Sequence, residues 1–352
     1  MNNYEPIVDR KIKFALVGCG RISKNHFASL EKHAERAELV DVCDIDSNAL
    51  ERAVKSTGAN GHKDINSMLE KSDADVVILT TPSGLHPVQA IKSFANGFHV
   101  VSEKPMATRM EDGVAMVKAA DEANKRLFVV KQNRRNATLR LLKDAIESGR
   151  FGRIYMVNVN VFWTRPQDYY NASPWRGTWE YDGGAFMNQA SHYVDLLEWL
   201  IGPIDSLFAF TGTLERKIEA EDTGAVALKW RCGAMGSMNV TMLTYPQNLE
   251  GSITILGEKG SVRIGGVAVN EIQHWEFSEP HEMDTRIKEV SYQTTSVYGF
   301  GHPLYYDNVI NVLRGNAVPE TDGRQGLKSL EVLSAIYRSA RDGKKVGLPL
   351  DL

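Results

Sequence analysis

The run Ile12-Lys13-Phe14-Ala15-Leu16-Val17-Gly18-Cys19-Gly20-Arg21-Ile22-Ser23 constrains this chain more than any other stretch. Lys13 to Val17 is short, apolar and closed by glycine, as a buried parallel strand requires. Gly18 permits a tight turn, and Gly20 lets the backbone approach a phosphate. A helix beginning near Arg21 and Ile22 points its first N–H groups at that phosphate. Ser23 stands where the dinucleotide fingerprint has its third Gly or Ala, and it is small enough to keep helix and strand together. Such a pattern alone is weak. Its weight comes from its position at the head of a strand–helix–strand unit.

That unit continues. The strand Glu38–Asp44 closes on an acid about two dozen residues after the turn, placed to accept hydrogen bonds from ribose hydroxyls. The Asp44 charge repels a 2′-phosphate, and Ile45 and Asp46 supply no cation for one, so NAD is expected over NADP. Further strands read at Asp75–Thr80, Phe98–Val101 and Arg126–Val130, with helical patterns at Pro87–Ala95 and Glu111–Ala123. This alternation implies a Rossmann-type α/β domain, a doubly wound parallel sheet that binds ligands at the carboxyl ends of its strands. After Arg135 the period changes. A helix at Leu139–Ser148 leads into period-two strands at Ile154–Phe162, Ala225–Trp230, Gly236–Thr241, Ser252–Leu256 and Ser261–Ile264. Gly257-Glu258-Lys259-Gly260 is a hairpin turn, and Tyr306–Leu313 and Gln325–Ser339 read as closing helices. The expected organisation is residues 1–134 for the dinucleotide, then 135–352 as an α+β domain on a mostly antiparallel sheet.

Composition narrows the partners. A length of 352 residues with 43% hydrophobic content supports two packed domains, and a net charge of −3 implies no bulk attraction to nucleic acid or anionic lipid. Three cysteines at this spacing suit neither a disulfide framework nor a zinc knuckle, which points to a reducing cytoplasm. Residues 1–10 lack an apolar signal core, and no run approaches membrane-spanning length, so no membrane insertion is expected.

Two groups of residues carry chemistry. At the sheet's ligand edge, Thr81, Pro82 and Ser83 lie along the cofactor, with His86 opening the next helix, and Asn133 brings an amide to it. Glu103-Lys104-Pro105 follows another strand. Pro105 biases Lys104 toward an extended backbone, which fixes the lysine at that edge. Its ammonium can bind a substrate hydroxyl and stabilise the alkoxide as hydride leaves. The second group runs from Asp182-Gly183-Gly184 to Asp195. Asn188, His192 and Asp195 are spaced to share one face if a single helix carries them. His192 suits removal of a hydroxyl proton near neutral pH. The spacing does not suit a metal site. Gly299-Phe300-Gly301-His302 reads as a glycine-flanked loop, either a lid or subunit contact or a plain turn.

With the glycine turn, Glu103-Lys104-Pro105, the Gly-Gly…His-x-x-Asp cluster and the late Gly-x-x-Gly hairpin, the chain resembles the Gfo/Idh/MocA family of sugar and cyclitol dehydrogenases over nearly its whole length. The resemblance implies that the second sheet is large and open and commonly builds dimers or tetramers. It also implies that Lys104 and His192 are catalytic. The family often has Asp four residues before the His. Here Asn188 cannot ionise, so it orients a hydroxyl or the His, and His192 or Lys104 is left as the base.

Phe162–Tyr170, Pro174–Trp179 and Met187–His192 resemble more narrowly the UDP-N-acetylglucosaminuronate 3-dehydrogenases of bacterial O-antigen and lipopolysaccharide synthesis. That implies NAD-dependent oxidation of a UDP-linked uronic acid to its 3-keto sugar, ahead of a PLP aminotransferase, by a homotetramer or homodimer. Relatives of that group either recycle NADH in place with 2-oxoglutarate or release it. A pyrophosphate and a carboxylate need cations, and Arg165 and Arg176 suit them bidentately. Tyr169 and Tyr170 bound the sugar, stack on uracil or pack an interface, and Gln189 sits beside Asn188 on the substrate side. The alternatives are a free sugar or inositol dehydrogenase, and a non-catalytic NAD-binding regulator. The regulator predicts loss of Lys104 or His192, and both are present.

Overall fold

A computed structural model describes residues 4–294 and 301–351. The chain forms two compact units, Met1–Lys131 with His302–Leu330, and Gln132–Gly301 with Glu331–Leu352. A single cut at 134/135 therefore misses a return of the chain to the first unit. The helix Gly301–Leu313 explains it, because Tyr305, Tyr306, Val309, Ile310 and Leu313 join Phe14, Ile78 and Phe128 in one buried cluster. An amphipathic pattern shows that a helix is covered on one side, not which sheet covers it. Gly299 and Phe300 lie outside the described residues. Gly301 and His302 open this helix rather than a loop, and His302 is buried.

The first unit holds a parallel sheet of β1 (Ile12–Val17), β2 (Ala37–Cys43), β3 (Asn60–His62), β4 (Val76–Leu79), β5 (His99–Ser102) and β6 (Leu127–Val129). Its order is β3-β2-β1-β4-β5-β6, so the winding reverses between β1 and β4, where such sheets open a ligand crevice. The helices are α1 (Ser23–Lys32), α2 (Ser47–Thr57), α3 (Ile65–Lys71), α4 (His86–Ala95) and α5 (Met110–Glu122). The sequence reading omitted α2 and α3, yet both carry a start signal. Asp46 accepts from the N–H groups of Asn48 and Ala49, and Asp64 from that of Ser67.

The second unit holds an eight-stranded sheet. Its strands are β7 (Ile154–Phe162), β8 (Ile204–Gly212), β9 (Thr223–Trp230), β10 (Met235–Thr241), β11 (Glu250–Gly257), β12 (Gly260–Gly265), β13 (Glu271–Phe277) and β14 (Val346–Gly347). The order is β13-β12-β11-β7-β10-β9-β8-β14, antiparallel except where β7 meets β10. Val157, Val159, Val161, Met238, Val240, Val226 and Leu228 point to the buried face. The opposite face carries cross-strand rows such as Thr254–Asn158–Ser237–Ala227–Phe208 and Ser252–Asn160–Asn239–Ala225–Phe210. The helices α6 (Ala137–Glu147), α7 (Gln167–Asn171) and α8 (Ser191–Ile201) belong to this unit. No described helix is long and apolar enough to cross a membrane.

Candidate active site

The glycine turn is built from backbone. Gly18 has φ +98°, and a Cβ there would lie 2.8 Å from the backbone of Thr80 and Thr81, so only glycine lets the ends of β1 and β4 meet. Among the described residues no atom beyond its chain neighbours lies within 4 Å of the corresponding position at Gly20, which leaves space there for a ligand. Ser23 is buried and its hydroxyl donates to the Gly20 carbonyl at 2.7 Å, which ties the start of α1 to the turn. Thr80 Oγ1 donates to the carbonyls of Val17 and Gly18. Asp44 is half-buried and accepts from Cys19 N at 2.6 Å and Asp46 N at 2.8 Å. These two bonds fix the carboxylate and leave it further acceptor capacity for hydroxyls. Burial raises the Cys19 thiol to about 12, which removes it as a nucleophile at neutral pH. Arg21 is exposed, and Ile22 caps α1 half-buried. An open phosphate cradle, a helix N-terminus and a fixed acid together fit a dinucleotide.

The neighbouring loops are tied from behind. Thr81 Oγ1 donates to Gln89 Oε1 at 2.6 Å, while Pro82 and Ser83 lead into α4. His86 sits beneath them, fully buried, with Nε2 at 2.9 Å from the Thr81 carbonyl and Nδ1 at 3.0 Å from that of Pro105. Burial lowers the His86 pKa, so the neutral ring donates its one N–H to one of these carbonyls and packs against the other, which places it between the 81–83 loop and the lysine motif.

Glu103 anchors that motif. Its Oε2 accepts from Lys104 N at 3.0 Å, and its Oε1 lies 3.0 Å from His26 Nε2 and 3.6 Å from His302 Nε2. Burial pushes the Glu103 carboxyl up, but the hydrogen bond from His26 and the nearby His302 imidazole outweigh it and hold the carboxyl well below the usual range. Burial lowers His26. The consistent network has Tyr306 OH donating to His26 Nδ1 at 2.6 Å and a neutral His26 donating Nε2–H to an ionised Glu103. Lys104 is half-buried, with its backbone held by this acid.

In the second unit, Tyr169 is flanked by two guanidiniums, with Arg176 4.3 Å and Arg165 5.6 Å from its ring centre. Arg165 donates from Nε to Gln189 Oε1 at 2.9 Å and from Nη1 to the Thr164 carbonyl. Gln189 Nε2 donates to Tyr169 OH. Arg176 donates from Nη1 to the Tyr169 carbonyl at 2.6 Å, while its Nε is buried without a hydrogen-bond partner among the described residues. Tyr170 is buried edge-on against Tyr169. Arg165, Tyr169, Arg176 and Gln189 are one cluster.

Asn188 and His192 do not share a continuous helix, contrary to the expectation from spacing. Residues Ala185–Gln189 form a π-helix, and α8 begins only at Ser191. The N–H of Ala190 donates to Ala185 O, one residue beyond the α-helical partner, which resets the phase. Asn188 Nδ2 donates to Asp182 Oδ1, and Asp182 Oδ2 accepts from Gly177 N. The double glycine has a packing cause as well. A Cβ at Gly184 would fall 1.9 Å from the Glu221 carboxylate. Glu221 accepts from Phe186 N at 2.8 Å and Tyr337 OH at 3.0 Å, and Tyr337 OH accepts from Met187 N. Burial raises this carboxyl to about 7. Thus Glu221 and Tyr337 clamp the π-turn that carries Asn188 and Gln189.

His192 is buried at the start of α8, 3.1 Å from Gln132 Nε2. One turn on, Asp195 receives a bidentate pair from Arg134, with Nε and Nη2 each at 2.7 Å. Asn133, expected at the cofactor, lies between these on the Gln132–Arg135 turn of the second unit, its Oδ1 buried without a partner. The sequence reading missed Gln132, Glu221 and Tyr337. Tyr337 on an amphipathic helix reads as core, and nothing local marks Glu221. Gln132 had one signal, its place beside Asn133 just past a strand.

The NAD-binding Rossmann fold of the Gfo/Idh/MocA oxidoreductases matches residues 12–131, and the C-terminal alpha/beta domain of that family matches residues 143–348. The structure is similar to the WlbA dehydrogenase from Chromobacterium violaceum in complex with NADH and UDP-GlcNAcA, at a TM-score of 0.96 and 72% identity over 100% of both chains. It is similar also to the WlbA dehydrogenase from Bordetella pertussis in complex with NADH and UDP-GlcNAcA. There the TM-score is 0.96 and the identity 70%, over 98% of this chain and 100% of that one. The D-apiose dehydrogenase of Paraburkholderia graminis is 26% identical over 361 residues, 96% of this chain and 90% of its own.

Proposed function

The chain belongs to the Gfo/Idh/MocA family of oxidoreductases, with that family's NAD-binding domain, and from this premise we propose that it oxidises the 3-hydroxyl of UDP-N-acetylglucosaminuronic acid to a ketone. The observation that carries the reading is the cluster of Arg165, Tyr169, Arg176 and Gln189. Two guanidiniums flank one aromatic ring, and the buried Arg176 Nε has no hydrogen-bond partner among the described residues. Such a cluster suits an anionic sugar nucleotide better than a neutral polyol. The similarity to two dehydrogenases bound to NADH and UDP-GlcNAcA supports the same choice.

On this reading the glycine turn, Asp44 and the 81–83 loop hold NAD, which supplies the hydride acceptor. Lys104 and Asn188 hold the reacting hydroxyl and stabilise negative charge on its oxygen. His192 takes the proton. Glu103 and His86 fix the loop that bears Lys104, and Asp182 aims the Asn188 amide. Tyr170, buried against Tyr169, shapes the pocket wall. We infer also that the product ketone is consumed by a PLP aminotransferase in cytoplasmic synthesis of O-antigen sugars. The uncovered face of the eight-stranded sheet would build a homotetramer or homodimer. Phe210 is 69% and Met235 57% exposed there, which supports a covered interface.

The test is turnover of purified protein with NAD and UDP-N-acetylglucosaminuronic acid, with and without 2-oxoglutarate, and with the aminotransferase present to draw off the ketone. The expected result is product from the uronic acid and none from UDP-N-acetylglucosamine. A requirement for 2-oxoglutarate would mean NADH is recycled in place. No product under any condition overturns the substrate and leaves the dehydrogenase family standing.

A further inference from the structure

Glu221 and Asp222 are adjacent buried acids just before β9. Each is committed to a different segment of backbone. Glu221 Oε1 accepts from Phe186 N at 2.8 Å and from Tyr337 OH at 3.0 Å, and Tyr337 OH accepts from Met187 N at 3.0 Å. The Glu221 carbonyl accepts from Ala185 N at 2.9 Å. The N–H groups of residues 185, 186 and 187, which open the π-turn, therefore all lead back to Glu221. Asp222 holds the segment that precedes it. Its Oδ1 accepts from Leu214 N at 3.0 Å, and its Oδ2 from Glu215 N at 3.0 Å and Arg216 N at 2.9 Å. Lys217 N then donates to Gln167 Oε1 at 2.8 Å, and Glu219 N and Ala220 N donate to the Gly177 carbonyl. The 214–220 loop is thus laid along the segment that bears Arg165, Tyr169 and Arg176.

The two walls meet at Arg165. From the π-turn, Gln189 Oε1 accepts from Arg165 Nε at 2.9 Å. From the loop, Arg216 Nε donates to the Arg165 carbonyl at 2.8 Å. One acid therefore acts on the Arg165 guanidinium and the other on its backbone. The gain is preorganisation, since ordering a rotamer-rich side chain on binding weakens affinity by roughly twofold to tenfold. The placement of the acids also matters. Their oxygens accept from backbone N–H groups and a phenol, so their hydrogen-bonding needs are met without drawing on a guanidinium. A carboxylate bonded directly to the arginines would offset the positive charge that an anionic ligand requires.

Resting on the reading of the arginine–tyrosine cluster as the sugar-nucleotide site, we propose that Glu221 and Asp222 are positioning residues for that ligand. They fix Arg165 from two sides, Glu221 through the π-turn and Gln189, and Asp222 through Arg216. The two acids differ in what they need. Glu221 uses one carboxylate oxygen as acceptor, and its Oε2 has no hydrogen-bond partner among the described residues. An amide can therefore stand in for it. Asp222 uses both oxygens as acceptors, and an asparagine would turn an NH2 group toward backbone N–H.

The experiment is calorimetric titration of the NADH-loaded protein with UDP-N-acetylglucosaminuronic acid. Glu221→Met, Glu221→Gln and Asp222→Asn are each made in wild type and in Arg165→Ala. In wild type, Glu221→Met and Asp222→Asn should raise Kd on the order of threefold to tenfold, while Glu221→Gln stays within about twofold. In the Arg165→Ala background the same losses should shrink to about twofold or less, because residues that act through Arg165 are not additive with its removal. NADH affinity and far-UV circular dichroism, unchanged throughout, establish that the variants are folded. If Glu221→Met does not fold, Tyr337→Phe tests the same wall, and Arg216→Met does so for Asp222. Losses of equal size in both backgrounds would make the acids merely structural and overturn the proposal, as would unchanged binding in wild type. An Arg165→Ala protein that binds the sugar nucleotide as tightly as wild type overturns the reading of the cluster, and the proposal with it.

Discussion

The glycine turn after β1 and the arginine–tyrosine cluster of the second unit are both built to receive charge, and they are built in opposite ways. The first uses backbone: the positive φ of Gly18, the open space at Gly20 and the N–H of Cys19 on Asp44. The second uses side chains contributed by residues 165, 169, 176 and 189, whose π-turn is clamped by Glu221 and Tyr337. A backbone site tolerates little change at its glycines and much elsewhere. A side-chain site loses function one contact at a time.

That contrast can be broken at four points. The largest effect is expected from Lys104→Ala, with kcat falling on the order of a hundredfold to a thousandfold as an oxyanion partner is lost, and NADH affinity by fluorescence titration little changed. Equal activity would remove Lys104 from the reaction. Next, Arg176→Ala should raise KM for the sugar nucleotide by roughly tenfold to a hundredfold, the value of one charge-assisted hydrogen bond, with KM for NAD unmoved. A rise in both constants would mean the cluster is structural.

Gly18→Ala tests the backbone site. The methyl group meets the Thr80 and Thr81 backbone, so a loss on the order of 1–3 kcal/mol in unfolding free energy and weaker NADH binding are expected together. Unchanged calorimetry would show that the β1–β4 contact yields. The most gradual effect, spread over the range between its two titrations, concerns Glu221, whose carboxyl is raised from 4.5 to about 7 by burial. The folded protein holds this proton more tightly than the unfolded chain. The stability it gives is therefore complete below 4.5 and is lost as pH rises through about 7, on the order of 3 kcal/mol in all. Glu221→Gln should flatten the fall in Tm between pH 5 and pH 8, and an identical slope in the variant would assign that fall to other groups.

The same contrast explains what could be read in advance. Strands β1, β2 and β4 to β6, the glycine turn, Asp44 and the lysine motif were legible because each is a local pattern of period, turn chemistry or proline bias. Strands β3, β8, β13 and β14 were not, since their hydrophobic alternation is broken or too short. The spacing of Asn188, His192 and Asp195 misled because the period of 3.6 assumes an α-helix, and a single π-turn shifts the phase. The return of residues 302–330 to the first unit was invisible for a similar reason, as periodicity names a buried face and not its partner.

The sequence by itself determined the α/β class, the dinucleotide turn, the preference for NAD, and the candidacy of Lys104, His192, Arg165 and Arg176. Each rests on residues whose chemistry and neighbours along the chain are sufficient to nominate them. The tertiary structure alone decided that Glu103 is bonded to His26 with His302 close by, that Glu221 and Tyr337 clamp the turn before His192, and that Gln132 lies beside its ring. These are contacts between residues distant in sequence. Their existence depends on how sheets and helices pack, which no local pattern encodes.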